Sequence, residues 1–392
     1  MGTKTAIADR IAQAFGKNKK GSILELFAGM SAIGNAIAGR RAIWTNDTQA
    51  FSRLACEFQF IQPDFHVEER LVRELIRRIS EKKIGLIERY YSLVHKESFL
   101  IKNDHKSLGE FESRIRKVSL CTKEHGAEDY NLFSKNYPGT YFSLSQCIEI
   151  DAIRYAVDLV APAADPTAMP YRRWMLTALG AAISRCSNST GHFAQHLVIS
   201  ESNFTRVLSK RKRSIVWVWL SKLQTIRPVG SLEWRQNNKV FGKDAIDLLD
   251  SLSLENIRPD VVYADPPYTS DQYSRYYHIL DTMVLYDYPQ LSGKGRYRQG
   301  RFQSDWSLKS KVRTCFVTLA ERSARLGSSL VVSYPDNGLL EKSEAEIPAI
   351  LRASFKKVQT LPHIPHMHST MGASKGQQKH PVVEQIFVAS NS

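Results

Sequence analysis

The sequence predicts an α/β fold: an open, largely parallel sheet interrupted by a long helical insertion. Three observations carry this. Short apolar runs at both ends of the chain finish in small, acidic or proline residues, as buried parallel strands do. The stretch between them shows apolar residues at helical spacing, with charges on the opposite face. With 392 residues, the chain is long enough for one large domain with an insertion, or for two domains.

The elements follow in order. Residues 7–15 read as a short helix. The first strand enters Ile23-Leu24-Glu25-Leu26-Phe27-Ala28-Gly29-Met30-Ser31-Ala32-Ile33-Gly34, where small residues let a ligand approach the backbone. The helix Asn35-Ala36-Ile37-Ala38 beyond offers free N–H groups. A tight turn with no ligand would look the same. Residues 41–47 form a second strand ending at Asp47, roughly 20 residues past the glycine turn, where an acid can bind ribose hydroxyls. Helices are expected at 67–79, 152–157 and 175–183. Asp244 precedes a helix from Ala245 and suits a cap. Further strands are expected around Val261, at 330–333, around Val358 and around Ile386. The sheet should therefore be built from residues 1–50 and 230–392, with 51–229 inserted.

Asp265-Pro266-Pro267-Tyr268 closes the strand Val261-Val262-Tyr263-Ala264 and sits at the sheet edge where ligands bind. Its chemistry suits one task, presenting an exocyclic amino group for alkylation. The Asp265 carboxylate accepts one N–H, and the Pro266 carbonyl accepts the other. Two acceptors aimed at one nitrogen draw its lone pair out of conjugation with the ring. Pro267 completes the rigid turn, and Tyr268 gives the base a face on which to stack. An ordinary post-strand turn is the alternative.

Together these residues resemble the Dam-like (D12 class) N6-adenine DNA methyltransferases, in which a glycine turn, a ribose acid, a target-recognition segment and DPPY follow in this order. Residues 141–143, 150–154, 187–193, 272–278, 333–337 and 383–388 extend the likeness, whereas 66–135 have no counterpart. The resemblance implies a Rossmann-like S-adenosylmethionine-dependent methyltransferase sheet, with the insertion as a DNA target-recognition lobe. It implies cofactor contacts from Glu25, Phe27, Ala28, Gly29, Ser31, Asp47, Asp244 and Ala245, with Asp265 to Tyr268 as the catalytic motif. Ser31 replaces a customary glycine. The usual Lys-Trp-Gly-Gly-Lys opening is absent, leaving Lys4, Glu25 or other loops for the methionine end of the cofactor.

A formal charge of +15 points to a polyanion. The basic residues cluster at 205–213 and 294–301, so Arg211, Arg213, Arg296, Arg298 and Arg301 are candidate DNA contacts. Glycines 295 and 300 suggest that the second run is a mobile loop. The five scattered cysteines argue against disulfides and thiolate zinc, and a reducing cytoplasm fits. No membrane span or secretory signal is expected. His363-Ile364-Pro365-His366-Met367-His368 invites a metal reading, but no acid or cysteine stands beside it, so it is taken as a loop near DNA reaching Lys375 and Lys379. No metal is expected, because a sulfonium is already activated.

The expected activity is site-specific methylation of a flipped-out adenine in double-stranded DNA, with room for a cognate restriction or defence nuclease as a second partner. N4-cytosine methylation, RNA adenine methylation and a non-catalytic DNA-binding regulator on the same fold are the alternatives.

Overall fold

The computed structural model describes residues 7–16, 21–117, 129–189, 191–369 and 379–391. Lys4, Cys121 and Lys375 lie outside them. The chain divides into two compact units. One comprises Met1–Pro63, Pro228–Arg275 and Phe302–Ser392; the other comprises Asp64–Arg227 and Tyr276–Arg301.

The first unit holds the sheet. Its strands are β1 (Ile23–Glu25), β2 (Ile43–Asn46), β3 (Lys239–Phe241) and β4 (Val261–Ala264), then β7 (Ser329–Pro335), β8 (Lys357–Thr360), β9 (Ile364–Ser369) and β10 (Lys379–Ser390). The order across the sheet is β3-β2-β1-β4-β7-β10-β8, with β9 paired to β10. The first five strands of that order are parallel, and β10 runs antiparallel to β7, β8 and β9.

Both faces of the sheet's centre are covered, which is why β1, β4 and β7 read as largely apolar runs, whereas the edge strands β3 and β8 are partly exposed. Successive residues supply opposite faces. On one side, Leu24, Val262, Ala264, Leu330 and Val332 pack under helices Ala245–Leu254, Val312–Arg325 and Ser343–Arg352. On the other, Ile23, Val261, Tyr263 and Val331 pack with Ile11, Ile33, Cys56 and Phe60. In helix Ala245–Leu254 the buried residues are Ala245, Leu248, Leu249 and Leu252, one stripe at helical spacing.

The second unit is helical, centred on Leu144–Val160, which is buried on almost every side. A capping box of Ser143 and Gln146 starts that helix. Asp151, inside it, accepts from the backbone N–H groups of Phe133 (2.9 Å) and Ser134 (2.7 Å) and from the Tyr286 hydroxyl (2.6 Å). The same unit carries a small hairpin, β5 (Leu291–Ser292) and β6 (Tyr297–Arg298).

The unit boundaries differ from the sequence expectation in two places. Helix Ala50–Phe60 belongs with the sheet, because Cys56 and Phe60 complete its lower core. Residues 276–301, expected with the sheet, belong to the helical unit, where Tyr276 accepts from the Phe193 N–H at 2.7 Å. The helix expected at 67–79 runs Glu69–Arg89. The histidine segment is a strand rather than a loop: β9 pairs with β10 from Ile364↔Glu384 to Ser369↔Lys379. Among the described residues, no group of three His, Cys, Asp or Glu is placed to hold a metal, Cys56, Cys147, Cys186 and Cys315 are unpaired, and no helix is long and apolar enough to cross a membrane.

Candidate functional site

The first unit gathers its acids along one sheet edge. β1 leads to β2 and β3 on one side, while β4 and β7 lie on the other, so the order reverses between β1 and β4. Ligands of open α/β sheets bind beyond the C-terminal strand ends at such a reversal. Register places the residues. Glu25 pairs with Tyr263, two residues before Asp265, and with Thr45, two before Asp47. Phe241 pairs with Asn46 and lies three residues before Asp244.

The glycine turn is held from three sides. The Leu26 N–H donates to Tyr263 O (3.0 Å) and the Ala28 N–H to Asn46 O (2.9 Å). The Gly29 N–H donates to Asp47 Oδ2 at 2.8 Å, and Asp47 Oδ1 accepts from the Gln49 N–H at 2.8 Å. Gly29 has φ +53, and a Cβ there would meet nothing within 4 Å, so the backbone is open at that point. Gly34 is required by packing, since a Cβ would sit 2.4 Å from Ser31 Oγ and 2.8 Å from the Phe60 ring.

Ser31 is left-handed at φ 49. Its hydroxyl donates to Glu25 Oε2 at 2.5 Å and accepts from the Gly34 N–H at 3.2 Å. Glu25 is buried. Desolvation first, then the charges of Asp265 and Asp47, push its carboxyl up to about 8, against the Ser31 hydrogen bond that lowers it. Desolvation likewise lifts Asp47 to about 6, opposed by its two backbone donors. Asp244 caps helix Ala245–Leu254, accepting from the Ile246 N–H at 2.9 Å.

The Asp265 to Tyr268 segment is fastened by its neighbours. Tyr268 O accepts from the Leu339 N–H at 3.1 Å, and the Tyr268 ring packs on the same core as Phe27. Phe27 meets Trp306 edge-on at 5.3 Å. Gln272 and Ser304 bond reciprocally at 3.0 and 2.7 Å. Asn46 was not singled out from the sequence, yet its amide donates to Leu26 O (3.1 Å) and Lys243 O (3.0 Å) while its oxygen accepts from the Lys243 N–H (3.0 Å). It bolts the ends of β1, β2 and β3 together. Its place as the last residue of an apolar strand was the available signal.

The proposed DNA contacts lie in the helical unit, and the structure corrects several of them. Arg211 is buried and pairs with Glu112 (Nε–Oε1 2.7 Å), so it cannot meet a phosphate. Arg298 is engaged by Asp287 at 2.6 Å with its side chain 13% exposed. Arg296 is half-buried, donates to the Arg116 carbonyl, and is lowered in pKa by burial. Arg301 lies over the Tyr297 ring, 5.6 Å from its centroid. The expected mobile loop is an anchored hairpin: Gly295 is buried and its carbonyl accepts from the Tyr141 hydroxyl at 3.1 Å. Arg213 is only half-buried and donates to Arg185 O at 3.1 Å.

A mixed sheet of mostly parallel strands, covered by many helices, is consistent with an α/β S-adenosylmethionine-dependent methyltransferase fold. The chain belongs to the D12 class N6 adenine-specific DNA methyltransferases, whose family model matches residues 1–333. It is 25% identical over 316 residues to modification methylase LlaI of Lactococcus lactis subsp. lactis, covering 79% of this chain and 42% of that protein. It is 26% identical over 358 residues to the Type II methyltransferase M.FokI of Planomicrobium okeanokoites, covering 90% and 46%. Over 267 residues it is 25% identical to the Type II methyltransferase M2.HphI of Haemophilus parahaemolyticus, covering 66% and 71%. The chain spans about half the length of the first two.

Two outcomes are expected at this edge. Asp47→Ala removes the acceptor for the Gly29 N–H along with the acid proposed for the ribose, so cofactor affinity should fall by about 1.5–3 kcal/mol. Calorimetric titration checks it, and an unchanged dissociation constant removes Asp47 from the site. The second concerns pH. The folded value of Glu25, about 8, stands above its ordinary 4.5, so protonation favours the folded state. That contribution is complete below about pH 4.5 and is lost as pH rises through about 8. Melting curves of the ligand-free protein from pH 5 to 8.5 should decline more steeply for wild type than for Glu25→Gln. Parallel declines would show that Glu25 is ionised throughout.

Proposed function

We propose that the protein is a site-specific DNA adenine-N6 methyltransferase that uses S-adenosylmethionine and works in the cytoplasm on double-stranded DNA. The observation that carries the reading is that Asp265 to Tyr268 directly follow β4, the strand paired with the one that ends at Glu25 and leads into the Asp47-held glycine turn. Open backbone at Gly29 and acids on adjacent strand ends suit a ligand with a positive centre and ribose hydroxyls, so these residues fit the cofactor. When bound, it supplies a methyl group on an already activated sulfonium.

The residues divide the work. Asp47 accepts from the ribose hydroxyls, Asp244 and Ala245 face the cofactor's adenine, and Phe27, Ala28 and Gly29 line its path. Ser31 holds Glu25 toward the charged end. Asp265 and the Pro266 carbonyl accept the two N–H bonds of the target amine, Pro267 stiffens the turn, and Tyr268 stacks on the base. No covalent enzyme intermediate is needed, and positioning supplies most of the rate. The target base has to leave the duplex to reach such a pocket.

Incubation with duplex DNA and S-adenosylmethionine, followed by mass spectrometry of the nucleosides, tests the reading. N6-methyldeoxyadenosine supports it. N4-methylcytosine, methylation confined to RNA, or cofactor binding without transfer would each install one of the alternatives. Two of the relatives are named as Type II methyltransferases and one as a modification methylase, which supports a cognate restriction nuclease as a second partner.

A further inference from the structure

We propose that Arg185, Arg206, Lys210, Lys212, Arg213 and Trp217, all in the helical unit, form the surface that grips the phosphate backbone of duplex DNA. The inference rests on the reading of the protein as an enzyme acting on DNA, and it locates the grip away from the hairpin arginines. Four of the cations are brought together by the fold. Lys210 Nζ and Arg213 Nη1 both donate to the Arg185 carbonyl, at 2.8 and 3.1 Å, and Arg206 Nη2 donates to Ser189 O at 3.1 Å. Arg213, Arg206 and Arg185 all repel the Lys210 ammonium, whose pKa is lowered first by burial and then by them. Lys212 is exposed between two of the cations in sequence.

Their own unit does not neutralise these charges. Among the described residues none of the five stands in an ion pair. The nearby acid Glu149 is already engaged by Lys83 (2.8 Å), the Ile215 N–H (2.6 Å) and the Ser214 hydroxyl (3.1 Å). Two helices, Met169–Cys186 and Phe204–Arg211, end here, and a helix C-terminus attracts cations. Each end carries only about half a negative charge, so two ends account for roughly one of the five cations. Each anchored side chain uses one donor on a carbonyl, and a guanidinium has others left for phosphate.

Trp217 is the independent observation. Its indole is 72% exposed in the first turn of helix Ile215–Thr225, four residues after Arg213. An exposed indole so close in the chain to cations without an ion pair suits a sugar–phosphate surface, where an aromatic face packs and cations neutralise.

The test is a salt titration with a fluorescein-labelled duplex, using the full chain with S-adenosylmethionine present. Lys212→Glu alone, and Arg206→Glu with Lys210→Glu, should weaken binding about tenfold or more at moderate salt. The slope of log affinity against log salt should shrink by about 0.9 for each phosphate that is no longer neutralised. Trp217→Ala should weaken binding by roughly 5-fold or more at constant slope. Calorimetric cofactor binding and melting temperature should hold in Lys212→Glu, which keeps the test valid if the double variant folds poorly. Wild-type affinity and slope in Lys212→Glu and Trp217→Ala overturn the surface while leaving the enzymatic reading intact. Concentration-dependent self-association abolished by Trp217→Ala also overturns it, in favour of a second copy of the chain. If the wild-type protein binds cofactor but no duplex, both readings fall together.

Discussion

Replacing Asp265 with alanine is expected to lower methyl transfer by about 10²–10⁴-fold, the range for a positioned proton acceptor. The effect should fall on kcat, because Asp265 is assigned to the target amine and not to the cofactor. Cofactor affinity should change little. Asp265 is one of two acids whose charge raises Glu25, so removing it eases Glu25 toward ionisation and leaves the glycine turn in place. Asp265→Asn serves as the isosteric check: it retains an acceptor oxygen, loses the charge, and should fall between wild type and alanine. Single-turnover transfer of a tritiated methyl group separates chemistry from product release. Transfer at the wild-type rate in Asp265→Ala would remove this residue from the reaction.

The second large effect concerns stability. Arg211→Ala leaves Glu112 buried without its cation. Breaking such a pair costs about 3–5 kcal/mol. For a unit of this size that corresponds to a melting temperature lower by roughly 6–20 °C. The pair is deeply placed, with side chains 0% and 2% exposed, and Arg211 also donates to Thr140 O at 3.0 Å. The double replacement Arg211→Met with Glu112→Leu removes both charges and should be milder than either single change, since no uncompensated ion remains. Thermal denaturation of wild type, Arg211→Met, Glu112→Leu and the double variant completes the cycle. Additive losses would mean that the two charges do not depend on each other. Salt dependence of DNA binding should be unchanged in any Arg211 variant that remains folded, which separates it from Lys212 next door.

That contrast between neighbours shows where sequence reasoning stops. Arg211, Lys212 and Arg213 form one basic run, and nothing local distinguishes them. The helix Phe204–Arg211 turns Arg211 toward Glu112, 99 residues away in the chain, while Lys212 remains exposed. The hairpin arginines differ from expectation for the same reason. Arg298 meets Asp287, which precedes β5, and Arg296 turns inward to the Arg116 carbonyl. Glycine at 295, which reads as a sign of mobility, is required because a Cβ there would sit 2.6 Å from the Tyr297 ring and 2.8 Å from the Ala194 carbonyl.

The sheet edge was legible because its signals are local. A strand buried on both faces must be an apolar run, and the residue that follows it lands at the C-terminal edge wherever the strand sits in the sheet. Asp47 and Asp265 could thus be placed at strand ends from the sequence by itself, together with the α/β class and the helical insertion, whereas β3, short and only partly buried, gave no such signal ahead of Asp244. Which strands are neighbours required tertiary structure. The order β3-β2-β1-β4 depends on pairings between segments distant in the chain, Ile23 with Val261 and Trp44 with Lys239. Only that order buries Glu25, whose carboxyl desolvation and then the charge of Asp265 lift to about 8, and gives Asn46 three strand ends to join. Burial and long-range charge are properties of the packed chain, and no local pattern encodes them.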